Sequence, residues 1–292
     1  MQARPMIIRD KPSLPQLLVA TRGSVLPHIA PALLTMMALS AGLVAVDRWL
    51  IALPDLAATP FSVLGVALSL FLGFRNNAAY DRWWEARKLW GGLLADLRAL
   101  AREATLFLPD EEASRLICQS LVFVHLHRCQ LRRIPADAAA RVWGQAASAD
   151  AALDAMNLIL IEARTAGTLD GFGARTLASR LGSLALNQAG CERIAATPLP
   201  YVYSLLIFRT VYLYCLLIPL ALIGTEGWLT PLFVGLIAYV FLGLAEVTED
   251  LAHPFSTSLN ALPLDAICRA MEISLAPELG LSPLDPTDFH LS

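Results

Sequence analysis

Charged residues are scarce in this chain of 292 residues, of which Asp, Glu, Lys and Arg make up only 16% while 56% is hydrophobic. The mean hydropathy of +0.56 lies outside the usual range of soluble domains, so the composition predicts an integral membrane protein. Neither sign of charge dominates, since the formal net charge is only -3. A chain this close to neutral offers no broad basic surface, and we expect no nucleic-acid partner.

The residue patterns of common enzymes and metal sites are also missing. The five cysteines stand singly, so they form no paired zinc motif, and we expect them to be packing residues. There is no glycine-rich phosphate loop and no nucleophile elbow. His125 and His127 are two residues apart, which on a helix points them in different directions rather than at one metal ion. We therefore expect no enzyme, no metal site and no cofactor.

Long apolar stretches are what the sequence has instead. Four of them are long enough to cross about 30 Å of hydrocarbon, at residues 23–46, 56–74, 194–224 and 227–245. More than twenty residues precede the first stretch, and it is longer than a typical signal core, so we expect it to remain in the protein. The sequence thus predicts four transmembrane helices.

The placement of Lys and Arg predicts the orientation of these spans. Basic residues precede the first span and follow the second, whereas the short outer loops 47–55 and 225–226 hold only Arg48. Both termini are therefore expected in the cytoplasm, with the protein in the plasma (inner) membrane. The predicted segments are a cytoplasmic N-terminal segment at 1–22, transmembrane helices 1 and 2 at 23–76, a cytoplasmic helical region at 77–196, transmembrane helices 3 and 4 at 197–248, and a cytoplasmic C-terminal segment at 249–292.

The cytoplasmic region reads as helical, with no β alternation of useful length. Apolar residues at three- and four-residue steps predict that the second span continues as an amphipathic helix, so that span and cytoplasmic helix form one long rod. Pro109, followed by three acidic residues, predicts the start of a helix. This helix is expected to run to about Arg133, because Pro135 would stop it. Two further helices are predicted at 137–162 and 173–196. The expected fold class is all-α.

One stripe on the second span is the leading candidate for function. Val66, Leu70 and Phe74 recur every fourth residue and so lie roughly on one helical face, with small residues beside them. The stripe could face lipid. We interpret it as facing a pore between copies of the chain, because small neighbours favour close helix contacts and large polar side chains are absent.

Arg209 is a second candidate, because a charge within an apolar span is costly. Its potential partners are Glu246, Glu249 and Asp250 at the inner end of the fourth span. We favour a structural ion pair that joins spans three and four over a role in conduction.

A series of motifs spans nearly the whole chain: Pro60-Phe61-Ser62, Leu72-Gly73-Phe74-Arg75-Asn76-Asn77, Arg82-Trp83-Trp84-Glu85-Ala86-Arg87, Gly190-Cys191-Glu192-Arg193-Ile194 with Thr197-Pro198, and His253-Pro254-Phe255 with Leu262-Pro263-Leu264-Asp265. In their residues and their order, these motifs resemble the bestrophin family, and its bacterial members in particular. The resemblance implies a homopentameric ion channel in the lipid bilayer, with four spans per subunit, a central pore and a cytoplasmic vestibule.

The family's two constrictions can be placed on this sequence by the same resemblance. The membrane neck falls on the three residues of the stripe already described. The cytosolic aperture maps to Leu184, or to Leu181 or Asn187 if the alignment shifts. Such apolar rings block ions by dewetting when narrow.

The resemblance fails at the calcium site and leaves the ion's charge open. Calcium-gated members carry acidic residues after the Pro-Phe motif, whereas residues 256–261 contain no carboxylate, so we expect no calcium activation through this site. Asn76, Asn77 and Arg75 would favour anions if they faced the pore. Among monovalent ions we lean slightly toward chloride, with a cation channel as the alternative and a membrane carrier or scaffold as less favoured readings.

Overall fold

The computed structural model describes residues 23–54 and 56–280, and every regular element within them is helical. The α-helices are α1 Leu26–Trp49, α2 Ala58–Phe107, α3 Asp110–Arg132, α4 Ala138–Val142, α5 Ala149–Ala166, α6 Gly171–Ala196, α7 Tyr201–Leu217, α8 Pro219–Glu226, α9 Thr230–Ala252 and α10 Leu264–Leu275. Short 3₁₀ turns follow α8 and α10. The prediction of an all-α fold is confirmed for the described residues.

The chain divides into two compact units, and α2 contributes residues to both. The apolar unit contains the described residues up to 83 together with residues 198–253. The amphipathic unit contains residues 84–197 and the described residues from 254 onward. The prediction that the second apolar stretch continues as one helix is confirmed, since α2 runs for 50 residues without a break.

The long apolar helices lie in the apolar unit, which α2 shares with the amphipathic unit. Among the described residues, three helical segments are long and apolar enough to cross a membrane, namely Leu26–Trp49, Ala58–Phe107 and Tyr201–Ala252. The third segment folds back on itself, because Ser204 of α7 lies 3.5 Å from Glu249 of α9, and Tyr214 meets Phe241 with ring centroids 5.6 Å apart. These pairs make α7 and α9 antiparallel, so this segment contains the two apolar stretches that were predicted separately.

The core of the apolar unit is formed by α1, α2, α7 and α9. Leu72, Val211, Val234 and Ala238 are all fully buried in it. Helices α1 and α9 approach closely at Gly235, where an added Cβ would lie 2.7 Å from the Met37 sulfur. A small residue is what such a close crossing of apolar helices requires, since lipid supplies no hydrophobic driving force for their association.

In the amphipathic unit, α3 begins at Asp110 and ends at Arg132, as the Pro109 signal predicted. The predicted single helix at 137–162 is wrong, because the chain leaves the helix after Val142 and re-enters it at Ala149. The break has two local causes. Gly144 has a φ of 156°, which is costly for residues with a side chain, and the Ser148 hydroxyl accepts a hydrogen bond from the Ala151 N–H, which starts α5.

Two histidines of α3 occupy the interior of the amphipathic unit. The His125 Nε2 lies 2.8 Å from the Glu272 carboxylate. Burial alone would raise the pKa of Glu272, but hydrogen bonds from His125 and Arg269 outweigh it and lower the pKa to about 2. His127 is fully buried and stacks on Trp90 and on Phe123, with ring centroids 5.6 and 5.9 Å apart. No group of His, Cys, Asp and Glu within residues 23–54 and 56–280 could hold a metal ion.

We expect His127 to make the amphipathic unit less stable as the pH falls. Burial lowers the pKa of His127 to about 4, so the folded protein resists a proton that the unfolded chain binds near pH 6.5. The folded and unfolded states bind protons equally above pH 6.5, and stability is lost progressively below it. The loss between pH 7.5 and 5 is about 2 kcal/mol, at about 1.4 kcal/mol per pKa unit.

The thermal unfolding midpoint of the detergent-solubilised protein, measured across this pH range, checks this expectation. Glu272 does not contribute there, since its lowered pKa removes stability only below about pH 4.5. His127→Phe should flatten the dependence, because a phenyl ring fills the same stack without a titrating group. An unchanged slope in His127→Phe would show that another group is responsible.

Candidate functional site

The predicted stripe is exposed on the apolar unit. Val66, Leu70 and Phe74 are 69%, 56% and 63% exposed, whereas Leu68 and Leu72 of the same helix are buried. At about 100° per residue, the middle of the stripe and the middle of the buried face lie roughly 170° apart around α2. The helix therefore turns one face to its own core and presents three large apolar side chains on the opposite side.

The two flanks of the stripe differ in shape. On one flank, Ser62 and Ser69 donate their hydroxyls to carbonyls of their own helix, and nothing lies within 4 Å of an added Cβ at Gly73. On the other flank, a groove of about 510 Å³ opens between α2 and α7. Its lining includes Ala67, Phe71, Phe74, Tyr203 and Leu206. One flank is thus small and smooth, and the other is large and grooved.

A buried ion pair lies on the core side of α2, at its inner end. The Arg75 guanidinium donates to the Ser204 hydroxyl at 2.7 Å and to the Glu249 carboxylate at 2.5 Å. The Arg75 side chain is 5% exposed and that of Glu249 is 39% exposed. The pair therefore ties α2 to α9.

The predicted ion pair between Arg209 and α9 is not found among the described residues. Glu249 is paired with Arg75, Arg209 is exposed, and none of the ion pairs among the described residues includes Arg209. Glu246 and Asp250 are half-buried on α9. The sequence did not identify Arg75 as the partner of Glu249. Arg75 directly follows the apolar stretch, and an arginine at that position is expected to reach the aqueous interface.

Polar residues continue the stripe beyond Phe74. Asn77 and Asp81 are exposed, and both lie within about 20° of the middle of the stripe. Asn76 turns away from it, because its side-chain oxygen accepts a hydrogen bond from the Thr248 hydroxyl at 3.4 Å. Asp81 was not singled out from the sequence, although its spacing of seven residues from Phe74 was a usable signal.

The residue predicted for the second constriction is not accessible. Leu184 is fully buried in the amphipathic unit and Leu181 is nearly so. Asn187 is engaged as well, since its amide donates to the Asp96 carboxylate at 2.9 Å. A side chain that lines a ring between copies has to reach the surface of its own subunit, so the structure does not place Leu184 where it could line one.

The exposed large apolar side chains of α6 are found elsewhere on the helix. Phe172 in the first turn is 82% exposed, and Leu186 is 76% exposed. The first turn is fixed by Asp170, whose side chain accepts a hydrogen bond from the Gly173 N–H at 2.6 Å. The sequence did not indicate Phe172, because the family resemblance places the cytosolic aperture only a few residues before the Gly-Cys-Glu-Arg motif.

Comparison with known proteins gives one consistent result. A family described as "Bacterial/Fungal Bestrophin protein" matches residues 6–277. The voltage-dependent anion channel-forming protein mll4386 of Mesorhizobium japonicum is 46% identical over 289 residues, which is 95% of this chain and 94% of that protein. The voltage-dependent anion channel-forming protein YneE of Escherichia coli is 39% identical over 282 residues, or 92% and 93% of the two chains.

Solved structures agree with these relatives. The crystal structure of a bacterial bestrophin homologue from Klebsiella pneumoniae superposes with a TM-score of 0.83 at 34% sequence identity. The match covers 87% of this chain and 100% of the Klebsiella chain.

Proposed function

Because this chain belongs to the bacterial and fungal bestrophin family, we propose that it forms an ion channel from five copies of itself and passes small monovalent ions, chloride in preference. The observation that carries the proposal is the exposed apolar stripe on the side of α2 opposite its buried face. Around a central axis, Val66, Leu70 and Phe74 of each copy form three successive apolar rings. Such a neck conducts when wide and wet and blocks ions when it dewets.

The flanks of the stripe favour a ring of copies over a stripe facing lipid. In a closed ring each copy presents one flank to the next, so the two flanks have to complement each other. The grooved flank bounded by Phe71 and Leu206 can receive a helix, and the small flank of Ser62, Ser69 and Gly73 allows close approach. A lipid-facing helix needs no such difference between its two sides.

We propose the second restriction on α6 and assign it to Phe172, with Leu186 as the alternative. Both are large apolar side chains that are exposed on their own subunit, as a ring requires, whereas Leu184 is buried. Phe172→Ala should change the preference among permeating ions, and Leu186→Ala should not. The opposite outcome would assign the ring to Leu186.

The placement in the inner membrane with both termini in the cytoplasm is also proposed, from the distribution of Lys and Arg around the spans. The relatives that are described as voltage-dependent anion channel-forming proteins support anions as the permeating species.

The proposal is tested on purified protein in two steps. Native mass spectrometry under gentle conditions should find five copies, and only monomers or dimers would count against a central pore. In planar bilayers, single-channel currents should then appear, and reversal potentials in a chloride gradient should show anions favoured. A reversal potential of the opposite sign would establish the cation channel. Substrate transport without unitary currents would indicate a carrier. The absence of both transport and unitary currents would indicate a scaffold.

We expect conduction to be insensitive to calcium. The segment after Phe255 offers hydroxyls rather than carboxylates, with the Ser256 and Ser258 hydroxyls 3.2 Å apart. Calcium is a hard cation whose protein sites rely on carboxylate oxygens. Single-channel open probability should be the same in micromolar calcium and in a chelator. A reversible loss of current on chelation would contradict this expectation.

A further inference from the structure

We infer that Asp81 is a selectivity-determining residue of this channel, placed as a ring of carboxylates just beyond the apolar neck. The inference rests on the proposed channel function and adds to it a group that sets the preference between anions and cations. Asp81 follows Phe74 by seven residues of one unbroken helix, which is two turns or about 10 Å along the axis. Asp81 therefore lies on the same face of α2 as Val66, Leu70 and Phe74, beyond the inner end of this stripe.

Exposure distinguishes Asp81 from the other charges near the neck. Asp81 is exposed, and none of the ion pairs or side-chain hydrogen bonds within residues 23–54 and 56–280 includes it. Arg75 lies closer to Phe74, but it is buried on the core side of α2 and paired with Glu249. Arg82 is turned aside as well, since its Nε donates to the Ala252 carbonyl at 2.8 Å.

The charge that faces the axis within two turns of the neck is therefore negative. Over the two turns that follow Phe74, the residues on this face are Asn77, whose amide is neutral, and Asp81, which has a carboxyl group. Rings of Asp or Glu side chains favour cations in channels, because their field concentrates cations and repels anions at the mouth. Five copies of Asp81 would oppose anion flux and limit the anion preference of the channel.

An exposed aspartate has a simpler explanation, which is solubility at the membrane surface. That explanation predicts no effect of Asp81 on which ions pass. The two explanations differ in the reversal potential, which depends on the field along the ion path and not on solubility.

The experiment measures reversal potentials of the purified channel in planar bilayers under a potassium chloride gradient. Asp81→Asn should raise the chloride-to-potassium permeability ratio by at least about threefold, since charged pore mouths carry potentials of several kT. Asp81→Glu keeps the charge and should retain the parent ratio. Asp154→Asn removes an exposed carboxylate from α5, outside α2, and serves as the control.

Ionic strength separates a direct electrostatic effect from a distorted neck. The difference between Asp81→Asn and the parent should shrink when the salt is raised from about 0.1 M to about 1 M, because the screening length falls from about 10 Å to about 3 Å. A ratio unchanged in Asp81→Asn overturns the inference, and so does a change that persists fully at high salt. A parent protein that forms no unitary currents would instead overturn the proposed function.

Discussion

Leu70→Ala is expected to increase ion conduction with little change in the stability of the subunit. The substitution removes three carbon atoms from each copy at the middle ring of the proposed neck, so the passage widens and its wall becomes less apolar. A wider neck fills with water more readily, which raises the open probability or the unitary conductance. Leu70 is 56% exposed on its own subunit, so the loss of packing there should be about 0.5 kcal/mol.

Leu72→Ala is the matched control on the same helix. Leu72 is fully buried, so its truncation leaves a cavity and should cost about 2–5 kcal/mol of stability. It should leave single-channel currents unchanged in the protein that folds. Currents and thermal midpoints of both variants therefore separate the two faces. A conduction change in Leu72→Ala together with parent-like currents in Leu70→Ala would refute the stripe as the pore-facing surface.

Glu249→Gln is expected to cause a large loss of stability in the apolar unit. It leaves the Arg75 guanidinium, which is 5% exposed, without its charged partner. A buried charge whose partner is removed costs about 3 kcal/mol or more, because the desolvation of the remaining ion is no longer offset. A lower thermal unfolding midpoint in detergent should report the loss.

Two further variants show whether burial of the charge is the cause. Replacing both partners, with Arg75→Met and Glu249→Leu, should recover most of the stability, since apolar residues of similar size can replace a buried ion pair. Glu162→Gln breaks the Arg115–Glu162 pair, whose side chains are 52% and 62% exposed, and should cost less than about 1 kcal/mol. Equal losses in Glu249→Gln and Glu162→Gln would contradict the explanation by burial.

The neck could be predicted from the sequence because its signal is local. Val66, Leu70 and Phe74 share a face as soon as the segment is known to be helical, and the helix follows from the length of the apolar stretch. The same holds for the start of α3 at Asp110, directly after Pro109, and for the continuation of α2 through residue 107. These features depend on residues a few positions apart.

The partner of Glu249 and the exposed residues of α6 could not be predicted in this way. Arg75 and Glu249 are 174 positions apart, and Arg209 was an equally reasonable partner until the packing of α2, α7 and α9 was known. On α6, the sequence does not show which apolar residues are buried and which are exposed. Leu184 and Leu186 are two positions apart, yet one is fully buried and the other is exposed.

The sequence by itself determined the membrane character of this protein, its all-α class and the apolar face of α2, because composition and helical periodicity are properties of short stretches of chain. The tertiary structure decided which charges are buried and which face outward, and this distinguishes the paired Arg75 from the exposed Asp81. The physical reason is that burial depends on what packs against a helix, and on α2 those neighbours come from α7 and α9, more than a hundred residues further along the chain.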